Sequence, residues 1–339
     1  MIDWSKSYSA TWRVFSVNRK TWADGQLIDN VDSIDVSRTA DGSLIESGSL
    51  SVTGDFSPDY YRIVMTAEQG GEVERVNVAT LLFDMSDGEF NHNVTTNHVD
   101  GFSVLYPASV SAVTIGKYAP ANSDGAQYVK ELLEEAINAP VEVEGSFTLN
   151  DNIVFELGST VLDCAWLVLD AGKFVLQIDG YGTVHIKPRP TEPDLILNAN
   201  TKGVMMNGVS FEANMSEIPN RYVVIDENFV TTAVNDDPDS IVSTVSRGYN
   251  VDVIDTSPAL VNSETYGQYA RKKLEESSVL KEEKSYSREY APDVYPYSII
   301  RASLNGLDGD IRVQSQTISC DHGIKVSERS IKEHKLWQR

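Results

Sequence analysis

The sequence is poor in the residues that covalent and metal chemistry draw on. Two cysteines, Cys164 and Cys320, stand far apart in 339 residues. A disulfide framework or a zinc site needs more cysteines at closer spacing, so two buried free thiols are expected. There are five histidines: His92, His98, His185, His322 and His334. His92 and His98 share a strand parity but lie too far apart along a strand to hold one metal without a bend. His322, between Asp321 and Gly323, reads as a turn residue. No Gly-x-Ser-x-Gly elbow, Gly-rich phosphate loop or dinucleotide fingerprint occurs. Long apolar runs are missing too. The longest, "CAWLVL", is far too short to cross a bilayer. The opening "MIDWSKSYSA" has no basic region followed by an apolar one, so no signal peptide is read, and the protein is expected to be made in the cytoplasm.

Positive charge is the remaining deficit. Lys and Arg number 28 against 50 Asp and Glu, a net charge of -22. A surface built to grip nucleic acid needs clustered Lys and Arg, and attachment to anionic lipid needs the same. Acid excess also keeps a protein soluble. The few basic runs have ordinary readings. Arg271, Lys272 and Lys273 fall on a predicted helix with Glu275 and Glu276 behind them, where cations complement the helix dipole. Lys332, Lys335 and Arg339 mark the only basic end of the chain. The acidic run "NDDPDS" (Asn235 to Ser240) clusters oxygens that calcium would use, but it lacks the spacing and glycine of an EF-hand loop and reads as a solvated loop. Paired carboxylates are expected by chance in so acidic a chain, and sequence does not reveal a glycosidase separation. No catalytic, cofactor-binding or metal-binding residue is assigned.

What is present is β pattern. Apolar residues make up 41% and charged residues 23%, an ordinary globular mix, and the length suggests two or three domains. From Ser9 to about Tyr106 the pattern is strand after strand, with turn signals at Asp41-Gly42 and Gly70-Gly71. Several strands change parity midway. Trp12 and Val14 give way to Phe15 and Val17, a change that moves the apolar set to the opposite face and fits bulged or bent strands. Then "SDGAQYVKELLEEAINAP" predicts an amphipathic helix with Tyr128, Leu132, Leu133, Ala136 and Ile137 inward. Ser123 or Asp124 caps it, and Glu131, Glu134 and Glu135 face solvent. "STVLDCAWLVLDAG" predicts a second helix, and "KFVLQIDGYGTVHIKPRP" a hairpin turning at Asp179-Gly180. The Pro-rich "KPRPTEPD" reads as a boundary. After it β returns, with turns at Asn207-Gly208, Asn305-Gly306 and Asp308-Gly309, interrupted by a helix in "NSETYGQYARKKLEESS" that points Tyr266, Tyr269, Ala270 and Leu274 inward. "DGDIRVQSQTISCDHGIKVSER" again switches parity, from Ile311 and Val313 to Ile318, Cys320, Ile324 and Val326. Tyr286, Tyr290, Tyr295 and Tyr297 cluster in "KSYSREYAPDVYPYS". Tyrosine suits interfaces because it buries area and keeps a polar tip, so a protein interface is the preferred reading over a carbohydrate platform.

The order of these segments resembles the tail and baseplate hub proteins of long-tailed bacteriophages. The likeness lies in the acidic "DDPDS", the helix "SETYGQYARKKLEESS", the Tyr/Pro-rich approach to "VYPYSIIRA" and the closing "IRVQSQTISCDHGIKVSE". At the N-terminus "RVFSVNRKTWADGQLIDNVDSIDVSRTADGSLIESGSLSV" looks like the opening of the same family, and "QIDGYGTVHIKPRP" like part of its α/β insert. The resemblance implies a mainly β fold with an α+β insert: a first tail-tube-like β-barrel over residues 1–115, a small α/β domain over 116–192, and a second tail-tube-like β-barrel with one helix over 193–339. It implies a non-enzymatic virion protein assembled in the host cytoplasm: a homotrimer forming a pseudo-sixfold ring that connects the tail tube to the tip. Its partners would be a tail-tube or distal tail protein, the tape-measure protein and a tip or spike protein. DNA would meet it only in transit through an ejection channel, and there would be no cofactor and no membrane anchor. An acidic wall would let DNA slide without arrest. A phage-like injection particle or tail-derived bacteriocin would use the same part. The alternatives are a cell-wall glycosidase or peptidase, which needs a cleft of converging groups, and a carbohydrate-binding adhesin, which needs aromatics on exposed loops.

Overall fold

The computed structural model describes all residues except 1, 5, 41–43, 92–93, 115, 199–204, 209–214, 227–228, 305–306, 321–324 and 338–339. The expected turns at Asp41-Gly42 and Asn305-Gly306, the exit from Asn207-Gly208, and His92, His322 and Arg339 lie outside or run beyond the described residues.

The first block holds β1 (Ser9–Val17), β2 (Asp24–Ile28), β3 (Val31–Thr39), β4 (Glu46–Thr53), β5 (Asp59–Gln69), β6 (Glu72–Asn91) and β7 (Val94–Phe102). An α/β unit follows with α1 (Tyr106–Val110), β8 (Tyr118–Ala119), α2 (Gly125–Glu134), β9 (Val141–Val143), β10 (Ile153–Val154), α3 (Val161–Gly172), β11 (Phe174–Ile178) and β12 (Val184–Pro188). The last block has β13 (Pro193–Asn198), β14 (Met205–Gly208), β15 (Arg221–Asp226), β16 (Phe229–Val234), α4 (Thr244–Arg247), β17 (Asp252–Asp255), α5 (Tyr266–Ser277), β18 (Val279–Arg288), β19 (Ile299–Leu304), β20 (Leu307–Ser319) and β21 (Lys325–Lys335). The chain is thus mainly β with a small α/β part, as its pattern predicts.

The two β blocks are not separate. Thirteen strands form one sheet, in the order β14-β18-β21-β20-β3-β4-β7-β6-β5-β1-β2, with β19 on β20 and β13 on β19. Among the described residues neither half closes into a hydrogen-bonded ring, which departs from the two expected barrels. The first half nevertheless curls far round. Trp12 and Val14 of β1 and Ile34 of β3, at opposite ends of its strand order, line one gap of about 240 Å³ together with residues 27–33. Closure would need β2 to bond β3, and the two-residue Asp29–Asn30 connection stands there instead.

The parity switches now have physical causes. β20 pairs with β19 as far as Arg312 and with β3 from Ser315 onward. Its register against β21 slips between Val313 and Ser315, so Gln314 is the extra residue of a bulge. On one side of the bulge Ile311 and Val313 enter a core with Leu197, Tyr286, Ile300 and Leu307. On the other Ile318 enters a different core with Val14, Val36, Leu50, Ile63 and Phe83. In β1 the same device sends Val14 into that core and Val17 into the core of the α/β unit, with a register slip between Phe15 and Val17. The second face of each strand therefore meets another core of the same chain. Asp308-Gly309, read as a turn, lies inside β20; Gly309 takes φ +91 there, where an L side chain is strained.

The α/β unit folds as its periodicity predicts. Asp124 caps α2 by accepting from the Ala126 and Gln127 N–H groups, and Thr160 and Asp163 form a capping box on α3. Leu132, Leu133, Leu162, Val168 and Leu169 pack with Ile178, Val184 and Ile186 of the β11-β12 hairpin. The hairpin turn is clamped onto the first block. Thr80 Oγ1 donates to the Gly180 carbonyl at 2.9 Å, and Arg62 Nη2 reaches the Trp22 and Tyr181 carbonyls at 3.1 and 2.9 Å. A Cβ on Gly180 would run into the Asn77 carbonyl, so only glycine permits this approach. Gly180→Ala should therefore lower the melting temperature and expose the hairpin to limited proteolysis before the rest of the chain, whereas Gly267→Ala, in the first turn of α5 with nothing within 4 Å and no positive φ, should leave the proteolysis pattern unchanged.

Candidate functional site: a buried polar seam and an uncovered sheet

Where β20 passes from one block to the other, charged side chains are buried. Arg38 on β3 and Glu46 at the start of β4 are 3% exposed each, joined by an Arg38 Nε–Glu46 Oε1 bond of 2.8 Å. The Arg38 guanidinium lies over the Tyr295 ring, 4.7 Å from its centre. On the far side Arg288 of β18 grips Glu328 of β21 with two nitrogens, at 2.8 and 2.5 Å. Gln316 of β20 donates to the same carboxylate at 2.6 Å and to the Val294 carbonyl at 3.1 Å. Isolated, each buried charge would cost several kcal/mol; the fork geometry and extra donors offset that cost.

The tyrosine cluster lies in this seam. Tyr286, Tyr290 and Tyr295 are buried and pack around the ion pairs, and the Tyr297 hydroxyl donates to the Ala40 carbonyl at 2.7 Å. The reading of these residues as a surface for another protein is thus corrected: the interface they fill is internal. Their uncompensated area and polar tips satisfied both descriptions, and only the return path of the chain distinguishes them.

Other candidates fall into structural roles. The basic end is no free arm: residues through Lys335 form β21, where Lys332 Nζ donates to the Asp308 carbonyl at 2.9 Å. Lys272 pairs with Glu264 at 2.8 Å and Lys273 with Asp170 at 3.0 Å, tying α5 to the loop before it and to α3. In the Asn235–Ser240 loop Asn235 Nδ2 donates to Ser240 Oγ at 3.0 Å, and the Asp237 carboxylate accepts from the Asp239 N–H at 3.0 Å, so at least part of its oxygen set serves the turn. His98 sits on β7 opposite Ser51 of β4. His185, not singled out from sequence, bonds Asp179 at 3.1 Å, and that bond, against burial, raises its pKa. Among the described residues no group of three His, Cys, Asp or Glu is placed to hold a metal, and no helix is long and apolar enough to cross a membrane.

A surface feature that sequence reading passed over is the three-stranded sheet β16-β15-β17, which stands apart from the large sheet. Its inner face, with Tyr222 and Val224, packs on Tyr269, Ala270 and Leu274 of α5. On its outer face Ile225 lies opposite Val230, and Val223 opposite Ile254. Val230 is 65% and Ile254 61% exposed, with Ile225 and Val234 beside them also open. The Arg221–Asp252 ion pair borders this apolar face. The alternation in "NRYVVID" carried the signal, since both parities are apolar there.

The seam generates a pH effect. Burial, against the pull of Arg38, raises the Glu46 carboxyl to about 7. The folded chain then holds this proton more tightly than the unfolded chain. The resulting stabilisation is complete below the ordinary carboxylate value and is lost as pH rises through about 7. The difference in unfolding free energy between the wild type and Glu46→Gln should accordingly shift against the wild type between pH 4.5 and 7, by roughly 3 kcal/mol at most. Arg38→Met, which leaves the carboxylate without its partner, should cost about 3–5 kcal/mol at pH 8, and Arg38→Met/Glu46→Leu should recover most of it. Urea titrations across the pH range read both.

Comparison with known proteins adds a fold. No protein-family model matches the chain, and no curated protein matches its sequence. Solved structures do. The tail protein of Neisseria meningitidis MC58 superposes with a TM-score of 0.69 at 12% identity, covering 96% of this chain and 97% of that one. The 43 kDa tail protein of prophage MuSo2 from Shewanella oneidensis gives 0.63 at 12% identity, over 96% and 98%. A chain of the Francisella PdpA–VgrG complex gives 0.56 at 9% identity, over 96% of this chain and 58% of that one. The long sheet, the α/β insert and the small sheet with its helix are together the fold of phage tail proteins.

Proposed function

We propose that this chain is a structural hub of a phage or phage-like tail baseplate. It works as a homotrimer around an axial channel, between the tail tube above and a tip or spike protein below. Tape-measure protein and then DNA pass through that channel, and the particle is put together in the host cytoplasm. Residues 1–115, 116–192 and 193–339 are its three units.

The observation that carries this reading is the pair of β blocks fused edge to edge through β20 and β3. Two β blocks per subunit would give three copies six such blocks around the axis, which suits a threefold part joined to a sixfold tube. The mutual coverage with the Neisseria and Shewanella tail proteins, nearly complete in both directions, supports the same role. The Francisella match comes from an assembly, and assembly is what the uncovered face of β15-β16-β17 is suited to, since exposed apolar patches on a rigid sheet favour a protein neighbour. The -22 charge suits a wall along which DNA moves without sticking. Catalysis is not part of the proposal: the most deeply buried carboxylates, Glu46 and Glu328, are held by arginines and serve packing.

Light scattering and negative-stain imaging test it. The expected result is a trimer, or rings with a central hole once tube and tip proteins are added. Val230→Asp with Ile254→Asp should abolish the assembly at unchanged melting temperature. A strict monomer at high concentration with those neighbours present would overturn the hub reading, and release of sugars or peptides from peptidoglycan would replace it with an enzyme.

A further inference from the structure

We propose that the cleft between the α/β unit and the last block binds a small oxyanion-bearing ligand, a carboxylate or a phosphate, through Arg189, Arg312 and Lys335. The cleft encloses about 400 Å³, within the size range of small-molecule sites and far too small for duplex DNA or a folded partner. It lies just beyond β12 and β13, flanked by α5 and by β20 and β21.

Charge pairing around it is incomplete in one direction. Among its acids, Asp170 is taken by Lys273 at 3.0 Å, Glu275 by Arg271 at 3.6 Å, and Glu276 by Lys173. Among its cations, Lys272 is taken by Glu264 at 2.8 Å. What remains in the lining is Arg189, Arg312 and Lys335 against Glu333, with the Asp194 carboxylate outside the lining and near enough to act on Arg312. Three cations thus face two carboxylates, in a chain whose net charge is -22. With acid in such excess elsewhere, a local positive remainder is unexpected unless something negative fills it.

The geometry is that of a prepared donor set. Arg312 Nη1 donates to the Pro190 and Tyr297 carbonyls at 3.1 and 3.0 Å, which fixes the guanidinium plane. Its other nitrogens have no acceptor on the described residues. Arg189 lies over the Tyr297 ring at 5.2 Å, held by the aromatic face with its donors available. Two guanidinium forks beside an ammonium suit bidentate capture of a planar carboxylate or a phosphate. Burial and the nearby Arg189, against the pull of Glu333 and Asp194, hold Arg312 below the ordinary arginine pKa, so an incoming anion would relieve a cation kept at a cost.

Titration calorimetry of the full chain at constant ionic strength tests this, with citrate and inorganic phosphate as separate probes. Saturable binding with a Kd below about 1 mM is expected for at least one of them, and the stronger probe identifies the source of the oxyanion. Arg189→Gln and Lys335→Gln should each weaken it roughly tenfold with no change in melting temperature. Arg312 is left intact because its bonds to the Pro190 and Tyr297 carbonyls tie β20 to the segments that lead into β13 and β19. Absence of saturable binding by both probes overturns the proposal. So does binding that survives in the Arg189→Gln/Lys335→Gln double variant, which would place the anion elsewhere.

Discussion

A single strand serves two hydrophobic cores here, and it does so only because its apolar face inverts at Gln314. A regular strand presents one parity to each side, so β20 would otherwise bury Ile311 and Val313 and leave Ile318 on the wrong face. One added residue reverses the parity and lets the strand leave β19 for β3. The continuity of the thirteen-stranded sheet rests on that local irregularity. So does the placement of the two β blocks, because among the described residues no other strand pairing joins them.

The inversion has a consequence for polar groups. Strands that cross between cores bring side chains suited to a surface into an interior. Arg38, Glu46, Arg288, Gln316 and Glu328 sit at that crossing, and the bidentate Arg288–Glu328 pair with its Gln316 donor shows how the cost is contained. Apolar residues of the same volume would pack there at least as stably. What the ion pairs add is orientation, since a guanidinium fork accepts its carboxylate in one plane only. We read the seam as the element that sets how the blocks meet.

Much of the fold was legible because local chemistry announces it. The α2 helix ran from its Asp124 cap with Leu132 and Leu133 inward, and the Asp179-Gly180 hairpin fell where its turn residues sat. The parity switches of β1 and β20 were visible as well, as were the inward residues of α5. The candidate sites were less legible. The tyrosine cluster looked like an outer surface because aromatic, hydroxylated segments satisfy the same rules in a wet interface and in a polar core seam. The basic end was legible only as a charge run, because charge alternation along "SERSIKEHK" hides a strand whose other face is buried at Val326 and Ser330. Asp308-Gly309 looked like a turn because that dipeptide serves hairpins and bulged strands alike.

Sequence alone determined the class of the protein: β blocks on either side of an α/β unit, in a chain with a large excess of acid. Those follow from composition, period and turn residues, each of which acts within a few positions of the chain. Tertiary structure decided which neighbours the inverted faces meet, that the β blocks share one sheet instead of closing separately, and which cations are left without acids in the cleft at Arg312. These depend on residues a hundred or more positions apart, such as Tyr297 with Ala40 and Gly180 with Thr80. Pairings of that kind are set by the path of the chain in space, which no short-range pattern encodes.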